Sequence, residues 1–226
     1  MNIMLDKLNL GCGYDIKPGF LNVDINDFHK PDMVGDVCSL PNLPSSYFSQ
    51  IVAQDVLEHL ERSKTSIALK EWFRLMKVNG ILSIRIPSLL HMFKMLASPE
   101  NRAHDRAEKI IHLLFGTQAY TGDYHLAGFT AETISHHLKM AGFSVCRASI
   151  RDNWMFDIDA RKTIHLPDDE EYIHFTYFTI LGRPVDAGAL KFWKNELSIQ
   201  KCNREKLNQS LLASEEYRTI CTQPRQ

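Results

Sequence analysis

The sequence predicts an α/β protein, a largely parallel sheet with a small all-helical unit after it. Three observations carry this. An apolar run from Lys7 to Leu10 ends in Gly11-Cys12-Gly13, and a second run, Phe20 to Ile25, carries an acid, Asp24, near its end. Continuous apolar strands such as Gln50–Val56 then alternate with helical periodicity, as buried parallel strands and their crossover helices do. After about residue 163 strand patterning stops and only helical stripes remain.

Residues 7–11 read as a buried first strand and 20–25 as the second. The gap between them, with Pro18-Gly19 as a turn signal, is too short for a full crossover helix. The first connection is therefore expected to be a loop or a single helical turn. Met33–Val37 is a short third strand, and Gln50–Val56 a fourth. Over 65–78, Ala68, Leu69, Trp72, Phe73, Leu75 and Met76 recur with a helical period, which Asn79-Gly80 is expected to stop. Ile81–Ile86 is the fifth strand.

Residues 88–118 read as helices joined by loops over the carboxyl edge of the sheet, and 116–129 as a loop. Thr130 caps a helix over 131–141 that Gly142 ends. Phe143–Ile150 and Trp154–Lys162 are spaced as an antiparallel pair that closes the sheet. Residues 164–171, with Pro167 and four consecutive acids, read as a linker. Residues 172–222 read as all-helical, with Phe192 and Trp193 in a small core of their own.

Composition narrows the function classes. The 226 residues carry 26 basic and 27 acidic side chains, a net charge of -1, so no overall basic excess argues for nucleic acid or an anionic membrane. No apolar run reaches the length of a membrane span, and Met1 to Asp6 does not open a signal peptide. Five cysteines, Cys12, Cys38, Cys146, Cys202 and Cys221, form no C-x-x-C, so neither a disulfide framework nor a zinc site is expected, and reduced thiols suit a cytoplasmic protein. His136-His137 face different ways on one helix, while His91, His104 and His112 make no compact ligand set; no metal is expected.

Gly-x-Gly after a strand lets backbone turn sharply and a ligand lie against it, and an acid at the end of the next strand can accept hydrogen bonds from ribose hydroxyls. The short first connection and the missing third glycine argue against pyrophosphate, hence against an oxidoreductase with a nicotinamide cofactor.

The ordered set Leu10-Gly11-Cys12-Gly13, Asn22-Val23-Asp24, Gly35-Asp36-Val37 and Asp55-Val56-Leu57-Glu58-His59-Leu60 resembles class I S-adenosylmethionine-dependent methyltransferases. Leu75 to Leu82 is similar to the segment leading into that family's fifth strand. The resemblance covers about residues 5–163 and implies a Rossmann-like seven-stranded methyltransferase sheet over 1–163, followed by the 164–171 linker and a 172–226 helical domain. Gly128-Phe129-Thr130 and the short first loop resemble a branch linked to bacterial surface saccharides. The tail, Tyr177 to Asp186 with Ser214 to Tyr217, resembles a small helical domain of unknown function on bacterial envelope and polysaccharide proteins.

The resemblance implies S-adenosylmethionine as cofactor. Gly11, Cys12 and Gly13 would follow its methionine part, Asp24 its ribose, and Ile25 its adenine face; Asp36 and the Val37 amide would meet the adenine edge, and the Gln54 carbonyl its amino group. The alternative for Asp24 and Asp36 is strand-end solvation or helix capping. For catalysis, His59 is either a general base or a packing residue, and Asp55 and Glu58 either orient it or, the favoured reading, cap a helix. Asp123 with His125 is a second candidate pair, whose alternatives are sugar binding or a surface turn; Tyr120 and Tyr124 offer flat faces to a sugar ring or belong to the core.

The expected reaction is methyl transfer to a hydroxyl of a surface saccharide or its precursor. The alternatives are a nitrogen or carboxylate acceptor on a small metabolite or protein, and a non-catalytic module whose tail recruits glycan-assembly proteins.

Overall fold

The computed structural model describes residues 5–120, 122–163, 168–199 and 201–222, without the side chains of the last two. Seven strands form one sheet: β1 (Lys7–Leu10), β2 (Leu21–Asp24), β3 (Met33–Val34), β4 (Phe48–Gln54), β5 (Met76–Pro87), β6 (Phe143–Arg151) and β7 (Met155–Lys162). Their spatial order is β3-β2-β1-β4-β5-β7-β6. The first five strands are parallel, and β7 runs antiparallel to both β5 and β6. The order reverses between β1 and β4, and in open α/β sheets ligands bind beyond the carboxyl ends at that switch.

No helix intervenes between β1 and β2. Two buried amides hold the connecting loop instead. Asn9 donates to the Asp15 carbonyl and to Asn22 Oδ1, both at 2.9 Å, and Asn22 donates to Asp32 Oδ2 at 2.8 Å.

Helix α1 (Thr65–Leu75) buries Ala68, Leu69, Trp72 and Leu75. It ends earlier than the expected 78, because Met76 pairs with Phe48 and enters β5. Residues 77–79 bulge out, and Gly80 is obligatory there: a Cβ on it would stand 2.6 Å from Met76 Cγ. Helices α2 (Leu89–Ala97) and α3 (His104–Phe115) follow β5. Helix α4 (Ala131–Ala141) carries the Thr130 cap and a left-handed Gly142, as its sequence predicts. Residues 152–154 make a three-residue hairpin connection, with Asp152 and Asn153 at φ 51° and 64° and the Trp154 amide donating to the Arg151 carbonyl at 3.1 Å.

The acidic run is not wholly linker. Asp168 caps helix α5 (Asp169–Leu181) by accepting from the Glu171 amide at 2.8 Å, and Asp169 to Glu171 fill its first turn, where the helix dipole favours acids. Ile164 to Pro167, the rest of that stretch, lie outside the described residues. Helix α5 is apolar on two faces. Phe178 belongs to the main core, its ring 4.9 Å from Phe156, while Ile173, Tyr177 and Leu181 join Leu207 and Leu211 in a second core. Helices α6 (Ala187–Ser198), α7 (Arg204–Leu212) and α8 (Glu215–Thr222) complete the tail. Trp193 packs in that second core, but Phe192, expected beside it, is 54 % exposed, because its neighbour faces Tyr177 and the helix turns it outward. Among the described residues no helix is long and apolar enough to cross a membrane.

Candidate functional site

The carboxyl rim at the switch brings together the ends of β1, β2 and β4. Gly11 and Gly13 take φ 58° and 49°, a region that suits glycine. Their reasons differ. A Cβ on Gly11 would stand 2.6 Å from Val56 Cγ2, so packing alone demands glycine there. A Cβ on Gly13 would meet nothing within 4 Å, so its main chain borders open space. Cys12 between them is buried, which pushes its thiol up to about 11, with the Asp24 charge adding to the effect; it is not a thiolate at neutral pH.

Asp24 is 5 % exposed. Its Oδ2 accepts from the Gly13 amide at 2.8 Å, and its Oδ1 from the Asn26 amide at 2.8 Å and His29 Nδ1 at 3.1 Å. A carboxylate offers about four acceptor positions, which leaves roughly one on Oδ2. The side chain is thus a loop anchor as well as a potential ligand. Sequence reasoning missed its partner His29, whose Nε2 is buried without a hydrogen bond. Missed too were Asn9 and Asn22, although amides inside apolar strands were the available signal.

Aromatic rings gather above Asp24. His29 packs edge-on to Tyr14 at 4.6 Å and Phe28 at 4.2 Å, and Tyr120 reaches Phe28 at 5.8 Å. Tyr120 thereby links the 116–129 loop to the end of β2. Ile25 is 65 % exposed beside them. Asp36 is exposed and its Oδ1 accepts from the Cys38 amide at 2.8 Å, while buried Val37 gives its carbonyl to Trp72 Nε1 at 3.0 Å. Gln54 stands half-buried at the end of β4.

Past β4, Asp55 takes φ 56° and Val56 to Leu60 fold into a single 3-10 turn. This turn presents Glu58 inward and His59 toward the 116–129 loop. Glu58 is 1 % exposed and makes no cap, contrary to the expected role, because the turn directs it into the interior. Burial holds its carboxyl well above the usual carboxylate range. Its carbonyl accepts from the Leu126 and Ala127 amides at 2.7 and 3.1 Å and so ties down the loop. His59 Nδ1 lies 3.2 Å from the Tyr124 carbonyl, and the His59 and His125 rings meet edge-on at 4.8 Å. Burial, then the neighbouring His59, pulls the His125 imidazole down, so it is neutral at neutral pH.

Asp123 is corrected by the structure. Its carboxylate accepts from the Thr117 hydroxyl and, at 3.3 Å, from the Ala119 amide, so it organises its own loop instead of orienting His125 by a hydrogen bond. Gly116, at φ 80°, lets that loop close: a Cβ there would stand 2.4 Å from the Asp123 carbonyl oxygen.

Residues 4–84 match the family model described as a methyltransferase domain. Over those residues the chain carries a methyltransferase domain. Residues 159–221 match a domain of unknown function (DUF4214). Among solved structures, the methyltransferase fold is similar to an S-adenosylmethionine-dependent methyltransferase from Methanosarcina mazei at TM-score 0.54 and 18 % identity, covering 70 % of this chain and 92 % of that one. A possible exported protein from Bordetella parapertussis matches at TM-score 0.50 and 12 % identity, covering 70 % and 61 %. No curated protein is significantly similar to the chain. The sheet order and the helical tail are those of the fold the resemblance implied.

Proposed function

We propose that this methyltransferase domain methylates a hydroxyl of a bacterial surface saccharide or its precursor. The observation that carries the reading is the pairing, on one rim, of open main chain at Gly13 beside Asp24 with two imidazoles 4.8 Å apart at the end of β4. A hydroxyl acceptor needs its proton removed, whereas a neutral amine does not need this before attack, and an imidazole is suited to the task.

The free side of Gly13, the remaining acceptor position of Asp24 and exposed Ile25 fit S-adenosylmethionine as the methyl donor. When bound, it would supply an electrophilic methyl group to the acceptor oxygen. Gly13 would hold it by bare backbone with Gly11 and Cys12 beside it, Asp24 would hold the ribose, Ile25 would cover the adenine, and Asp36 and Val37 would meet its edge, with the Gln54 carbonyl at the amino group. His59 or His125 would take the hydroxyl proton. Tyr120 and Tyr124, 43 % and 42 % exposed, offer faces to a sugar ring. Residues 172–226 serve as a docking unit for glycan-assembly proteins, and the work is done in the cytoplasm.

Calorimetry with S-adenosylmethionine should give a saturable heat with the folded protein, and no heat would overturn the cofactor sites. A screen of nucleotide sugars and glycan fragments by mass spectrometry should find one that gains a methyl group. Gain on an amine or carboxylate instead would move the acceptor to a metabolite or protein. With a true acceptor, His59→Ala and His125→Ala should each lower turnover by about 100-fold or more; full turnover in both would place the proton elsewhere.

A further inference from the structure

We propose that Glu58, His59 and His125 form a divalent-cation site at the carboxyl rim of the sheet. Each offers one ligand atom, and the three atoms lie within 4.8 Å of one another. Around one ion with bonds of about 2.0–2.2 Å, ligand atoms stand roughly 3–4.3 Å apart, so closure needs shifts of under about 1 Å.

A second observation points to a ligand. Glu58 Oε2 is wholly buried and has no hydrogen-bond partner. A buried carboxylate oxygen without a partner is costly, and a cation beside it removes that cost. His59 is also arranged as metal-binding histidines are: its Nδ1 faces the Tyr124 carbonyl at 3.2 Å. A ring that donates one N–H to a carbonyl keeps a lone pair on its other nitrogen, and such contacts fix ring orientation.

The fold assembles this set from distant sequence. The Leu126 and Ala127 amides bond to the Glu58 carbonyl, which brings His125 against a turn 65 or more residues earlier. Two imidazoles and one carboxylate suit a first-row divalent ion such as zinc, cobalt or iron(II) over magnesium or calcium, which prefer all-oxygen sets. The site goes beyond the proposed methyl transfer. Its role there, which does rest on that reading, is to bind and acidify the acceptor hydroxyl; with the ion bound, His59 and His125 are its ligands and the hydroxyl proton passes to solvent water, whereas in the metal-free chain they are the base.

The test is a Co2+ titration of untagged, EDTA-stripped protein, followed by visible absorption and elemental analysis. About one Co2+ per chain is expected, with the visible bands of a low-coordinate nitrogen–oxygen site. Glu58→Gln and His125→Gln should each weaken binding at least about tenfold, with circular dichroism confirming the fold. His59→Gln gives the same readout should either variant unfold. A folded wild-type chain that takes up no Co2+, or binding undiminished in these variants, overturns the site. Calorimetry of the wild type with S-adenosylmethionine in EDTA tests the cofactor reading separately, because that binding needs no cation.

Discussion

Gly11 and Gly13 share a motif and a backbone region but answer to different demands. Gly11 is held by Val56 at its back, whereas Gly13 borders open space. Alanine at Gly11 should therefore cost about 2–4 kcal/mol of stability, from overpacking and the left-handed backbone together. Alanine at Gly13 should cost only about 1 kcal/mol, from the backbone alone. Yet Gly13→Ala should weaken S-adenosylmethionine binding by more than about tenfold, because its methyl group fills the space the proposed ligand uses. Denaturant titration and calorimetry on the two variants read the two effects apart; a Gly13→Ala protein that binds normally would remove the loop from the cofactor site. The motif was visible in the chain. That Asp24 would spend three acceptor positions on Gly13, Asn26 and His29 was not, since His29 reaches it only after the chain has turned beyond β2.

At the scale of elements, the ends were most legible where one residue decides them. Thr130 and Gly142 bound α4 by local chemistry, a hydroxyl cap and a left-handed glycine. The end of α1 is decided elsewhere. Its last carbonyls are met by Ser46, Tyr47 and Lys162, residues distant in sequence. Lys162 Nζ donates to the Phe73 and Met76 carbonyls, both at 2.8 Å, and sits over the Phe73 ring. Lys162→Met keeps the apolar stem and removes the donor. It should lower stability by about 1–3 kcal/mol, read as a shifted urea midpoint with an unchanged slope. An unshifted midpoint would mean that water satisfies those carbonyls equally well.

For the whole molecule, α5 joins two cores. Phe178 packs against Phe156 in the sheet's core, while Tyr177 and Leu181 on the other face pack with Leu207 and Leu211. Phe178→Ala should cost about 3–5 kcal/mol. Followed in single-tryptophan variants, the loss should appear at Trp72 in the sheet's core and at Trp193 in the tail together, since α5 carries load for both. A midpoint that falls at only one of them would show two independently folding parts. The acids at 168–171 read as a break because charge runs usually are solvated, yet as a cap and first turn they start the helix that joins the parts.

By itself the sequence determined the sheet, the glycine turn, the acid after the second strand and the helical tail. Those follow from periods and propensities that act within a few residues. Only the tertiary structure decided that Glu58 turns inward, that Asp123 serves its own loop, and that His59 meets His125. Each of those depends on contacts between segments far apart in the chain, where the free energy of burial and of unpaired polar groups, rather than local preference, selects the partner.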